Sequence, residues 1–154
     1  IGVRLVGSEM CIRDRCTFLA VAGLNRLNME DIITTAISTE EMLPAVAQGA
    51  IGIERRENNI RVATMLEAIH NSKTGLLLSA ERAFLEALDG SCETPIAGLA
   101  ELSNGNLRFR GEILRPDGSE VFSDEQMASK EDATLMGVEM AKKLLNKAGS
   151  NFFL

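Results

Sequence analysis

Few residues in this 154-residue chain could carry chemistry, and one loop holds the most reactive of them. Cys92 lies in Asp89-Gly90-Ser91-Cys92-Glu93-Thr94-Pro95, between a helical and an extended stretch. Loops held by a rigid scaffold are where reactive groups are commonly presented. A nucleophilic thiolate needs a helix N-terminus, a cation or a histidine beside it. The stretch before Cys92 offers a helix C-terminus, and Glu93 is acidic, so both oppose thiolate formation. A protease-type pair with His70, the single histidine, does not fit this setting. Two roles stay open. One is a small, packed cysteine. The other is a covalent attachment point, whose sulfur reacts once with a strong electrophile and needs no permanently lowered pKa.

Arg26, Arg55 and Arg56 lie near glycine-containing segments, where a guanidinium can grip a carboxylate through two hydrogen bonds. Solvated surface cations are the alternative. Gln48-Gly49 could bring an amide and a backbone N–H to a ligand. His70 closes a helical stretch, where a cation is mildly favoured, and reads as structural. Glu81-Arg82 falls mid-helix and reads as a fold-internal ion pair or as solvated charge. Neither glycine-rich phosphate-binding pattern is present.

The elements that must hold these residues are short and mixed. The run Phe18-Leu19-Ala20-Val21-Ala22 predicts a strand buried on both faces, ending at Gly23. Residues 28–37 predict a short helix with Asn28 as N-cap and Glu30 and Asp31 in its first turn. Residues 43–54, with Pro44, Gly49 and Gly52, predict a crossing segment with a glycine-containing strand over 50–54. Amphipathic helices are predicted over 59–69, from Val62, Met65, Leu66 and Ile69, and over 74–88, from Leu77, Ala80, Phe84 and Leu88. Gly90 suits the left-handed position after the second.

Beyond residue 95 the periodicity changes. A strand over 96–102, an Asn104-Gly105 hairpin turn and an alternating strand over 107–113 follow one another. Then come the Pro116-Asp117-Gly118 turn and a third strand from Glu120. A last helix is predicted over 130–146, with Ser129 as N-cap, Asp132 at the third position and a stripe of Val138, Ala141, Leu145 and Ala148. Helix, three-stranded antiparallel meander and helix define an α+β domain with helices on one sheet face.

Composition narrows the function classes. The formal net charge is −6, which disfavours general nucleic-acid or anionic-membrane binding. No apolar run approaches the ~20 residues of a membrane span. Three scattered cysteines form neither a disulfide scaffold nor a zinc site, and point to a reducing compartment, the cytoplasm. One histidine excludes a histidine-built metal site.

The first fifteen residues stand apart. They hold neither period 3.6 nor period 2 and have no signal-peptide core. Met10-Cys11-Ile12-Arg13-Asp14-Arg15 resembles a translated transposase end from a sequencing adaptor, and Leu5 to Glu9 the adaptor bases before it. Residues 1–15 are therefore expected to be non-native, joined to a truncated reading frame. Without them three basic and two acidic residues fall away, and the net charge becomes one unit more negative.

Five motifs then occur in order: Ala20-Val-Ala-Gly-Leu-Asn-Arg-Leu27, Leu43-Pro-Ala-Val-Ala-Gln-Gly-Ala-Ile-Gly-Ile-Glu54, Ser79-Ala-Glu-Arg-Ala-Phe84, Gly90-Ser-Cys-Glu-Thr-Pro-Ile96 and Pro116-Asp-Gly118. Together they resemble the C-terminal part of the porphobilinogen deaminase (hydroxymethylbilane synthase) family, over about residues 17–148. That resemblance implies three domains, the first two α/β and periplasmic-binding-protein-like. Residues 16–48 would be the tail of domain 2, 49–69 a crossing segment belonging to domain 1, and 70–154 domain 3. The orphan run at Phe18–Ala22 would then lack its sheet partners, leaving it and 50–53 with exposed apolar surface.

The resemblance also implies the chemistry. The family condenses four porphobilinogens into a linear tetrapyrrole, releasing ammonia at each step. It does so on a dipyrromethane primer held by a thioether to a loop cysteine, which Cys92 matches. Loss of ammonia from the aminomethyl pyrrole leaves a strong carbon electrophile, which a soft sulfur traps. Arg26 matches an arginine that pairs with substrate or cofactor carboxylates, and Gln48 and Arg56 fall near the hinge and cleft. Partners would be porphobilinogen and the growing polypyrrole, in a protein that is usually monomeric. The family's catalytic aspartate lies upstream, so no catalytic residue is expected here and the chain alone is expected to be inactive. Ser91 and Ala47 stand where the family usually has glycine. The rival reading is a stand-alone α+β ligand-binding or interaction module without covalent cofactor.

Overall fold

A computed structural model describes residues 17–90, 94–149 and 152–153. The chain divides into two compact units, with the boundary between Ser38 and Thr39.

In the first unit, α1 is a six-residue helix, Val21–Arg26, and a single 3-10 turn follows at Glu30–Ile32. Both depart from the sequence reading. The predicted strand at Phe18–Ala22 is instead the approach to α1 and its first residues. A short apolar run is compatible with either state, and Ala22, Leu24 and Arg26 are strong helix formers. The predicted 28–37 helix does not form because Asn28 adopts a left-handed φ of 52° rather than capping. The β-branched Ile32, Ile33, Thr34, Thr35 and Ile37 also disfavour continuation. Phe18 is 70% exposed.

The second unit holds two helices before the sheet. Helix α2 is Ile60–Glu67, with the Asn59 side chain accepting a hydrogen bond from the Val62 N–H. Helix α3 is Ser72–Ala87, capped likewise by Asn71 on the Thr74 N–H. The sheet is a meander of β1 (Ile96–Ser103), β2 (Asn106–Leu114) and β3 (Val121–Ala128), in that order and antiparallel. Asn104 and Gly105, with φ of 51° and 84°, form the first turn, as the Asn-Gly pair predicts. Ser103 pairs Asn106 across it and Ile96 pairs Ile113 at the far end. After a 3-10 turn at Lys130–Asp132, α4 runs Ala133–Ala148.

Alternation along β2 sends Leu107, Phe109, Gly111 and Ile113 to the inner face, all buried, against α3 and α4. Phe84 of α3 meets Phe109 edge-on, ring centroids 5.2 Å apart. The buried stripe of α4 is Ala133, Met136, Gly137, Met140, Ala141 and Leu144. The predicted stripe is thus rotated: Ala141 belongs to it, while Val138, Leu145 and Ala148 lie at its margin. The sequence offered two apolar lines on this helix, and Gly137 chose between them. A Cβ there would collide with the Ala80 carbonyl oxygen and lie 2.9 Å from the Phe84 nitrogen, so α3 and α4 touch backbone to backbone.

The outer face carries an ion-pair network. Arg108 grips Glu125 through Nε and Nη2, both at 2.8 Å. The nearly buried Arg110 reaches Glu101 at 2.8 Å and the Thr39 carbonyl at 3.0 Å. Glu40 approaches both arginines. The hydrogen bond from Arg108, ahead of opposing burial, holds the Glu125 carboxyl below its usual range. Inside, burial alone would raise Asp124, but hydrogen bonds from Lys143 and Lys147 of α4 outweigh it and the carboxyl is lowered. Lowered folded-state pKa values contribute stability above the unfolded carboxylate value of about 4, lost as pH falls through the folded values. The urea midpoint is expected to hold from pH 7 to about 5 and to fall below that. A midpoint unchanged down to pH 3 would contradict these pairings.

Candidate functional site

The loop bearing Cys92 is held at both ends. On the α3 side, Gly90 N–H donates to the Leu85 carbonyl at 3.0 Å and Asp89 N–H to Glu86 at 3.0 Å. The left-handed residue is Asp89, at φ 52°, not Gly90 as the sequence suggested. Aspartate tolerates that region better than most side chains, and Gly90 serves space instead. A Cβ on it would press to 2.6 Å from Leu85 Cδ1 and Ile96 Cδ1. On the β1 side, Ile96 N–H donates to Thr94 at 2.8 Å and Leu114 N–H to the Pro95 carbonyl at 3.0 Å. Ser91, Cys92 and Glu93 themselves, like Cys11, Cys16 and residues 1–15, lie outside the described residues.

A strap over residues 39–49 runs along the free edge of β1. Ala45 bridges Ala97, and Gly98 N–H donates to the Pro44 carbonyl at 3.1 Å. The strap then turns away: Gln48 N–H donates to the Ala45 carbonyl at 3.1 Å, and Ala47 takes φ 60°. The predicted strand over 50–54 is absent, because the strap has left the sheet edge and a strand needs a ladder partner. Ile51 is accordingly 92% exposed.

The predicted contact residues lie on different elements of the two units. Arg26 is exposed in the last turn of α1, in the first unit. Gln48 is exposed on the strap turn, and Arg56 is exposed eight residues later in the second unit. Arg55 Nη1 donates to the Arg56 and Glu57 carbonyls. The ring of His70 lies against Gly75 at the start of α3, in keeping with a structural role. The expectation for Glu81 is corrected: it is neither ion-paired nor solvated. Only 6% exposed, it accepts the Ala47 N–H on Oε2 at 2.7 Å and the Ala100 N–H on Oε1 at 3.0 Å. The sequence did contain a signal. Glu81 falls in line with Leu77, Phe84 and Leu88, a charge on the apolar stripe of α3.

Ala47 is the one alanine held at positive φ among the described residues, where a Cβ costs about 1–2 kcal/mol. Ala47→Gly removes that strain at a smaller entropic cost in the unfolded chain. It is expected to raise stability by about 0.5–1 kcal/mol in urea melts. A destabilised Ala47→Gly chain would show that the turn is not strained.

The second unit is an α+β domain in which the loop holding Cys92 joins a helix to an edge strand. Residues 76–146 match the family model described as porphobilinogen deaminase, C-terminal domain. Residues 7–64 match that described as porphobilinogen deaminase, dipyromethane cofactor binding domain. The chain belongs to the porphobilinogen deaminase family. It is 54% identical over 137 residues to porphobilinogen deaminase of Paracoccus denitrificans, covering 89% of this chain and 44% of that protein. The Nitrobacter hamburgensis protein is 44% identical over 137 residues, with 89% and 43% covered. The chloroplastic porphobilinogen deaminase of Pisum sativum is 46% identical over 142 residues, with 90% and 38% covered. The chain thus spans less than half the length of these relatives. Arg26, Gln48 and Arg56 fall within the stretch matching the cofactor binding domain, and Cys92 within the C-terminal domain. Among the described residues, no helix is long and apolar enough to cross a membrane.

Proposed function

We propose that this chain is the primer-carrying part of a hydroxymethylbilane synthase. Its Cys92 holds a dipyrromethane through a thioether, on which the whole enzyme condenses four porphobilinogens with release of ammonia. The observation that carries this reading is the family match, which runs through the cofactor binding domain and the cysteine loop in one chain. The primer, when bound, supplies the pyrrole terminus from which the polymer grows.

The residue types suit such a group. A dipyrromethane bears several carboxylates, and the exposed guanidiniums of Arg26 and Arg56 can take carboxylates bidentately. The exposed Gln48 offers an amide N–H of the kind a carboxylate or carbonyl accepts. Arg26, Gln48 and Arg56 therefore bind and orient, while Cys92 anchors. No proton-transfer role falls to any of them, and the 154-residue chain by itself is proposed to carry the primer without turning over. Its cysteines, scattered and without a disulfide pattern, support action in the cytoplasm.

Intact-mass measurement after incubation with porphobilinogen and a full-length family enzyme, which supplies the condensation step, tests the proposal. A gain of two pyrrole units is the expected result. A chain that stays at its unloaded mass overturns the carrier role, and steady ammonia release by the chain alone overturns its inactivity.

A further inference from the structure

We infer that Glu81 is a positioning residue for Gln48, acting through the turn that carries it. Glu81 sits on the inward face of α3, and its two carboxylate oxygens hold two different backbones. Oε1 takes the N–H of Ala100 on β1, and Oε2 takes the N–H of Ala47 on the strap. As an edge strand, β1 has donors pointing away from β2. The strap carbonyl of Pro44 satisfies one of these at Gly98, and Glu81 satisfies the next at Ala100. One side chain therefore closes the sheet edge and clamps the departing strap.

The clamp acts where the backbone is strained. Ala47 is left-handed at φ 60°, and the Gln48 N–H to Ala45 carbonyl bond completes the turn. A charge-assisted hydrogen bond to the Ala47 N–H offsets the cost of that conformation. Gln48 follows directly and points from a turn whose geometry depends on that bond. Ala47→Gly should relieve the strain and make the turn less dependent on Glu81. The role assigned to Glu81 rests on the reading of Gln48 as a ligand contact.

Amide exchange by NMR on the full 154-residue chain, with porphobilinogen as the added probe, tests the inference. Glu81→Gln keeps the shape of the side chain, but its NH2 cannot accept one of the two N–H groups. Loss of one charge-assisted bond should speed exchange at Ala47 and Gln48 about 10- to 100-fold, with Phe84 and Phe109 unchanged. The Gln48 response to porphobilinogen should fall with it, and adding Ala47→Gly to Glu81→Gln should restore Gln48 protection. Unprotected Ala47 in the unmodified chain overturns the clamp, whatever Glu81→Gln does to folding. Unchanged exchange at both Ala47 and Ala100 in folded Glu81→Gln overturns it too. Faster exchange with an undiminished Gln48 response overturns the positioning role. A Gln48 silent to porphobilinogen already in the unmodified chain overturns instead the reading of Gln48 as a contact, and the purpose of the clamp with it.

Discussion

Cys92→Ser is expected to abolish the covalent gain of two pyrrole units entirely, while Cys16→Ser leaves it intact. The expectation follows from the nucleophile. When the amino group of the aminomethyl substituent departs as ammonia, the methylene carbon left on the pyrrole is a soft electrophile. The sulfur forms the new S–C bond, and the thiol proton leaves with the ammonia. A serine hydroxyl, with a far higher pKa and a harder oxygen, does not compete at neutral pH. In sequence, Cys92 follows the C-terminal end of a helix and precedes the acidic Glu93, neither of which favours a thiolate. Attachment should therefore accelerate as pH rises toward the ordinary thiol range of about 8.5. Mass gain retained in Cys92→Ser would move the attachment to another residue.

Gly137→Ala is expected to be the most destabilising single-methyl change in the domain. Its Cβ would collide with the Ala80 carbonyl oxygen and sit 2.9 Å from the Phe84 nitrogen, both backbone atoms of α3. Backbone in a helix cannot rotate aside, so the helices must separate and the sheet core beneath them loosens. A loss of about 3 kcal/mol or more is expected, a drop on the order of 10 °C in Tm. Gly75→Ala is the control. Its Cβ would meet only the His70 ring, at 2.7 Å from Cε1, and that exposed side chain can swing away. Alanine also favours the helix, so a change within about 1 kcal/mol is expected there. Equal effects at the two glycines would refute the close crossing of α3 and α4.

The C-terminal domain was legible because its signals are local. Alternation in Leu107-Arg108-Phe109-Arg110 can only be a half-buried strand, and Asn104-Gly105 and Pro116-Asp117-Gly118 specify tight turns by their backbone preferences. The apolar stripe of α3 was equally plain, with Ala80, Phe84 and Leu88 all buried as expected. Legibility failed where a segment's state depends on a distant partner. Phe18–Ala22 and 50–54 read as strands by composition, yet each would need a neighbour to pair with. The α4 stripe was misplaced because two apolar lines compete on it, and only contact with Ala80 shows why Gly137 must face inward.

The candidate site divides the same way. Cys92 stood out from residue type and loop position alone, because sulfur chemistry and loop presentation are properties of a few consecutive residues. Family membership was likewise carried by five ordered motifs in the linear chain. The part played by Glu81 was decided only by tertiary structure. Its carboxylate joins Ala47, 34 residues before it, to Ala100, 19 residues after it. The network around Arg110, which ties Thr39 to a strand 71 residues on, is of the same kind. Local order sets which conformations a segment prefers and which atoms it offers. Long-range packing decides which buried donor meets which acceptor, because a buried polar group must find a partner wherever the fold brings one within reach.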